Sequence, residues 1–307
     1  MAIYSLISSP PSRYTHIMSK KFEPRNIKAL AVDLDGTTLL PGAILGERTE
    51  KCLKQLILRG MQIVIATGRA IESSEHYRSA VGAEGPMVFF NGAEVADVPS
   101  GKILSVDYVD IEVIDFGVDL SRDMGVHYQI YLPAGISPDT GKFDPAKKWE
   151  SLLIDRRTPE MEMYQKHTGI TGIVKDLKSV TSLPGLQGCI KGMFIADPSL
   201  HDEIRRRMNS RFEDRINIIR SFPTFLELLK TGVSKGEGLK TAMKHRGLAP
   251  EQVIAFGDEE NDLSMFDATG FSAAPESAKE NVLNAADIVF GSNAEEGLAA
   301  FLEKTFL

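Results

Sequence analysis

Four short apolar runs, far apart in the chain, each stop abruptly at small or oxygen-bearing polar residues, and this pattern constrains the fold more than any other feature. The first, Ile27 to Val32, is apolar apart from Lys28 and ends in Asp33-Leu34-Asp35-Gly36-Thr37-Thr38. The second, Met61 to Ala66, ends in Thr67-Gly68-Arg69, and the third, Pro86 to Phe90, in Asn91-Gly92-Ala93. The fourth, Gln252 to Phe256, ends in Gly257-Asp258-Glu259-Glu260-Asn261-Asp262. Continuous apolar runs of this length read as strands buried on both faces, the habit of parallel sheets. Helical patterns separate them. Glu47 to Arg59 puts Cys52, Leu53, Leu56 and Ile57 on one face and stops at Gly60, and another helix runs on from Arg69 to Gly82. The alternation implies an α/β fold with right-handed crossovers and a parallel sheet covered on both sides. Ligands of such sheets bind beyond the carboxyl ends of the strands, so Asp33, Thr67, Asn91 and Asp258 are expected to converge.

Between Asp107 and Phe222 the texture changes. Val126 to Leu132 alternates like a strand with one exposed face, and Gly188 to Ala196 and Ile216 to Ser221 read as further strands. Asp197 to Phe212 reads as a helix with Asp197 or Ser199 as its cap, and 133–150 as loop. The expected organisation is a core of 24–107 and 223–307 with an α+β domain, 108–222, inserted into it. The chain should re-enter the core through Phe225-Leu226-Glu227-Leu228-Leu229, and residues 1–23 form an N-terminal extension, with Met18 as an alternative start. A length of 307 residues suits this division.

Composition narrows the partners. The net charge of −7 argues against nucleic acid, and the cluster Arg205-Arg206-Arg207 with Arg211 is flanked by Asp202, Glu203 and Glu213, as on a solvated helix face. No segment approaches the ~18–20 apolar residues of a membrane span. Cys52 and Cys189 are the only cysteines, which suits a reducing compartment and a cytoplasmic location. No sequence feature fixes whether the chain is a monomer or a homo-oligomer.

The polar strand ends carry the chemistry. Asp33 and Asp35 are two carboxylates one residue apart, and Gly36 lets the backbone twist so that both face one site. One can act as a nucleophile and form an acyl-phosphate, while the other serves as general acid and base. Alone, the pair can also be read as turn caps, the lesser of the two readings. Asp258 and Asp262 add acid from another loop, and carboxylates meeting a phosphate would repel it unless a cation intervened. Oxygen donors without histidine or cysteine select a hard ion, Mg²⁺ being the usual partner of phosphates. Ser234-Lys235-Gly236-Glu237 reads as a capping box opening a helix that stops at Gly247. Lys235 then opposes the helix dipole unless its ammonium faces an anion. Thr67 offers a hydroxyl and, with Gly68, backbone N–H groups for that anion.

Taken together, these segments resemble the haloacid dehalogenase superfamily, whose four motifs occur in this order. Asp33-Leu34-Asp35-Gly36-Thr37 is similar to the first, Thr67-Gly68-Arg69 to the second, Lys235 to the third, and Gly257-Asp258 with Asp262 to the fourth. The subgroup of Cof-type sugar-phosphate phosphatases is the nearest likeness, through Asn91-Gly92-Ala93, Gly232-Val233-Ser234-Lys235-Gly236 and Ser292-Asn293-Ala294-Glu295-Glu296-Gly297. The resemblance implies a Rossmann-like core, an inserted cap and a small phosphorylated metabolite as substrate. It implies Asp33 as nucleophile and metal ligand, Asp35 as general acid/base, and Thr67, Gly68, Lys235 and Asn261 as phosphate-binding groups. Mg²⁺ would be held by Asp33, the carbonyl of Asp35 and Asp258, with Asp262 ligating or acting through water. A phosphomutase of the same superfamily and a non-catalytic phosphometabolite sensor are the competing readings. Ala274-Pro275-Glu276-Ser277-Ala278 departs from the subgroup's usual sequence after the fourth motif.

Overall fold

A computed structural model describes residues 22–144, 146–147 and 150–307. Its centre is a five-stranded parallel sheet in the order Ile288–Phe290, Phe271–Pro275, Val253–Phe256, Ala29–Val32, Gln62–Ile65. Ala29–Val32 lies between two neighbours, Ala29 pairing with Val253 on one side and Gln62 on the other, and is buried throughout. That is why its run shows no alternation of polar and apolar residues. The third apolar run sits at the flank. It joins the sheet through a parallel bridge, Ala66 to Val88, and leads an antiparallel unit of Gly85–Phe89, Glu94–Val98 and Lys102–Val106.

The helices fall close to their expected bounds. Glu47–Leu58 buries Thr49, Cys52, Leu53 and Leu56 against the sheet. Ile71–Val81 ends at Gly82 and Lys235–Arg246 at Gly247, both glycines in the left-handed region. Phe22 packs edge-on against Phe271 and Phe306, so it belongs to the core rather than to the expected extension. Residues 1–21 of that extension lie outside the described residues.

The inserted domain is a six-stranded sheet, in the order Ile173–Val174, Ser151–Ile154, His127–Leu132, Lys191–Ile195, Phe225–Lys230, Ile216–Phe222. Two expectations are corrected here. Phe225–Lys230 does not return the chain to the core sheet. It pairs antiparallel with Ile216–Phe222 and with Lys191–Ile195, and the crossing to the core follows Lys230. A hairpin neighbour was available at once, whereas the core sheet lay a domain away. His127–Leu132 has no exposed face: all six residues are buried. Its Tyr128, Ile130 and Leu132 pack among residues of the inserted domain's own helices, while Tyr131 joins the core's apolar cluster. A strand covered on both sides can still alternate when each cover demands different chemistry.

The Gly188 to Ala196 run also divides. Gly188–Cys189 pairs with Val109–Asp110, and Lys191–Ile195 enters the sheet. Asp197 caps the short turn Pro198–Leu200 through the N–H of Ser199, and His201–Phe212 follows as the helix. Three of its arginines form surface pairs, Arg206 with Glu203, Arg207 with Asp123 and Arg211 with Glu112, whereas Arg205 departs from the expected solvated face, half-buried and donating to the Ile218 carbonyl. Among the described residues no helix is long and apolar enough to cross a membrane.

Candidate active site

The parallel register brings the polar strand ends together. Asp33 donates its N–H to the carbonyl of Phe256, the last residue before Gly257-Asp258, and Ala66, next to Thr67, bonds to Val32. Asp33, Asp258 and Asp262 thus present oxygens within 4.8 Å of one another. Lys235 reaches them from the first turn of its helix. Its Nζ donates to Asp33 Oδ1 at 2.6 Å and to Asp262 Oδ1 at 2.7 Å, and all three side chains are buried. Ser234 caps that helix by accepting from the Glu237 N–H, while Glu237 turns outward to Lys240, so half of the expected box forms.

Asp262 has a second task. Its Oδ2 accepts from the N–H groups of Asp258 and Glu259, holding the fourth-motif loop in shape. Asp258 is fixed from the other side by the Thr37 hydroxyl at 2.6 Å. Gly36 makes this approach possible. Its φ of +81° is in the left-handed region, and a Cβ there would lie 2.1 Å from Asp258 Oδ2. Gly36→Ala is therefore expected to displace Asp258 and cut kcat roughly 100-fold, the usual cost of an ångström-scale misplacement. Steady-state phosphate release measures it, and near-wild-type kcat would show that Asp258 need not stay there.

Electrostatics follow from this crowding. Burial pushes the Asp33 carboxyl well above the usual range; Lys235 opposes the rise, and Asp262, Asp258 and Asp35 add to it. Burial also pushes Asp258 up to about 7, against the hydrogen bond from Thr37. For Lys235 burial disfavours the charge, but Asp262 and Asp33 outweigh it and the pKa is raised. One ammonium among three carboxylates leaves negative charge in a buried, oxygen-only site. That donor set fits a hard divalent cation such as Mg²⁺.

Asp35 lies outside this knot, half exposed, and its carboxylate accepts both Nε (2.7 Å) and Nη2 (2.6 Å) of Arg69. Arg69 was legible as part of a motif triplet but had no assigned role, because its partner comes from another strand end. Thr67 is fully buried: its N–H bonds to Val88 O, and its hydroxyl accepts from the Arg69 N–H at 3.2 Å. The helix expected directly after Arg69 starts only at Ile71, so Gly68 sits in the loop before it. Asn261 Nδ2 donates to Asn91 Oδ1 at 2.9 Å, tying the fourth motif to the third strand end. Glu259 and Glu260 point away to Lys279. Lys279 also donates its N–H to Asp258 O, so the atypical Ala274–Ala278 segment leads straight to the site.

The profile of haloacid dehalogenase-like hydrolases matches residues 30–302, almost the whole chain. The chain belongs to that family. A Streptococcus pyogenes protein named as a phosphatase is 29% identical, with 92% of this chain and 99% of that protein covered. Pyridoxal phosphate phosphatase YbhA of Escherichia coli is 24% identical, with 90% and 97% covered. Among solved structures, TM0651 of Thermotoga maritima superposes with a TM-score of 0.76 at 26% identity, covering 91% of this chain and 97% of its own. The fold is thus the haloacid dehalogenase fold with a cap domain, and the protein is a phosphatase of that superfamily.

Proposed function

We propose that the protein is a Mg²⁺-dependent phosphomonoester hydrolase of small phosphorylated metabolites, sugar phosphates among them, working through an aspartyl-phosphate on Asp33. The observation that carries this reading is the clamp of Lys235 on Asp33 beside Asp258 and Asp262. It aims a cation at the carboxylate expected to attack and leaves the site rich in metal-binding oxygen. Asp33, the carbonyl of Asp35 and Asp258 would hold the ion, with Asp262 reaching it directly or through water. The bound ion offsets the negative charge of carboxylates and phosphate and orients the phosphoryl group.

An Asp33 carboxylate oxygen attacks phosphorus as the bond from phosphorus to the leaving oxygen breaks, and Asp35 delivers a proton to that oxygen. Asp35 then takes a proton from water, whose oxygen attacks phosphorus. The bond from phosphorus to the Asp33 oxygen breaks, and phosphate leaves. Lys235, the Thr67 hydroxyl and the Gly68 N–H bind the phosphoryl oxygens, and Asn261 braces Asn91 beside them. Both Asp35 oxygens are held by the Arg69 fork, so Asp35 must swing out of it to reach the leaving oxygen. The cap meets the core at Asn91, which donates to Glu227, and Asp33 is only 4% exposed, which limits access of bulk water. Buried thiols at Cys52 and Cys189 support a reducing, cytoplasmic setting.

Phosphate release from a panel of phosphorylated metabolites, with Mg²⁺ and then with EDTA, tests the reading. Release that EDTA abolishes and Mg²⁺ restores is expected. Isomer exchange with little phosphate release would instead identify a mutase, and no turnover with binding retained would identify a sensor.

A further inference from the structure

Two buried carboxyls meet where the cap joins the core. Glu94 opens the core strand Glu94–Val98 and pairs with Phe89 on one side and Val106 on the other. Glu150 belongs to the cap and immediately precedes Ser151–Ile154, the strand that pairs with His127–Leu132. The two residues are 0% and 6% exposed. Glu150 Oε1 accepts the N–H of Ile71 at 3.3 Å, at the start of a core helix, and its side chain lies within hydrogen-bonding reach of Glu94. The cap carboxyl thus touches two elements of the core. Among the described residues no donor serves either oxygen of Glu94 or Oε2 of Glu150.

Two carboxylates facing each other in a buried site repel, and water does not screen them. A cation would relieve the repulsion, but the described groups around the pair supply none. Glu72 of the Ile71–Val81 helix, Tyr108 on the way into the cap and Tyr131 of the cap sheet are the titratable groups that act on it. The buried cations Arg69, Lys191 and Lys235 are each paired with another carboxylate. A proton is left to do the work. One carboxyl O–H donating to the facing carboxylate makes a strong, charge-assisted bond. Burial raises both carboxyls; the Glu150 charge raises Glu94 further, while the bond to Glu94 holds Glu150 down. The rest of the joint is apolar, with Tyr131, Met161 and Met193 of the cap in one buried cluster with Ile71, Phe89 and Phe90 of the core. Such packing has little direction of its own.

We propose that Glu94 and Glu150 share one proton and form a pH-sensitive latch that fastens the cap to the core. The closed form holds this proton, and a form with the two carboxyls parted into water releases it in the ordinary carboxylate range. The latch is therefore intact at acid pH and is lost as pH rises through the raised pKa of the pair. Above that point the ratio of closed to open forms falls by up to about tenfold per pH unit, the limit for a single proton. A loosened cap gives freer entry and exit at the site, a consequence that rests on the phosphatase reading, as the latch itself does not.

Methyl NMR of the full chain carrying labelled methionine, without substrate and in EDTA, tests the latch between about pH 5.5 and about pH 9. Met161 and Met193 report the joint, while Met208 inside the cap and Met265 inside the core serve as controls. In the wild type the joint signals are expected to shift or broaden as pH rises while the controls stay in place. Asp258, pushed up to about 7, titrates in the same range, so the comparison is with Glu94→Gln and Glu150→Gln, which leave Asp258 untouched. An amide donates the bridging bond without a proton to lose, so each variant should keep its joint signals near their acid positions throughout. Wild-type joint signals that ignore pH overturn the latch, whether or not a variant folds. Joint signals that move as far in the variants as in the wild type overturn it too, because the titrating group then lies elsewhere. Phosphate release plays no part in this readout, so failure of the latch and failure of the phosphatase reading are told apart.

Discussion

Asp33→Asn is expected to lower turnover by roughly 10⁴-fold or more while leaving the fold and Mg²⁺ binding largely in place. On the proposed route the Asp33 carboxylate supplies the attacking oxygen, and an amide of the same shape has no such nucleophile. The fold should tolerate the change, because burial already disfavours the Asp33 charge and Lys235 keeps its bond to Asp262. Three measurements belong together. Steady-state phosphate release gives the loss, a thermal melt shows that the variant is folded, and acid-quenched mass spectrometry looks for phosphate on the protein. Phosphorylated wild type and unmodified variant are the expected pair. Turnover near wild type in Asp33→Asn would sink the covalent route, since water attacking phosphorus directly would not need that oxygen.

Much of this site was legible in the sequence because it is built from strand ends. A parallel register fixes where each strand stops, so Asp33, Thr67, Asn91 and Asp258 meet once the strands are recognised. Lys235 was legible for a local reason: Ser234 caps its helix, and a cation in the first turn calls for an anion. What stayed hidden depends on which element neighbours which. Phe225–Lys230 has the same apolar character in either sheet, and only the turn after Ile216–Phe222 hands it to the cap. Arg69 meets Asp35, and Glu227 meets Asn91, across gaps that no local periodicity reports. The alternation in Val126 to Leu132 was plain, yet the face that carries Tyr131 turns to the core's apolar cluster and not to solvent. A period of two tells that two faces differ. It does not tell which of them is wet.

Lys235→Met should be the most destabilising of the changes considered, by about 3–5 kcal/mol, because it strips the partner from two buried carboxylates. Lys235, Asp33 and Asp262 have side chains 2%, 6% and 0% exposed, so water cannot replace the lost ammonium. The sign of the pH dependence follows. Without Lys235, nothing opposes the burial that already raises the Asp33 carboxyl above its unfolded value in the native protein. The folded variant then holds protons that the unfolded chain has released. The stability that Asp33 contributes is present at acid pH and is lost as pH rises through its folded pKa. The gap to wild type should therefore be widest near pH 8 and narrow toward pH 5. Mg²⁺ at pH 8 should raise the variant's melting temperature more than that of the wild type, since the ion would take over the neutralising role of the lysine. Melts at the two pH values, each with EDTA and with Mg²⁺, supply all four comparisons. A gap that widens on acidification would show that the carboxylates do not carry the cost. An equal Mg²⁺ shift in both proteins would mean that lysine and metal do not share those carboxylates.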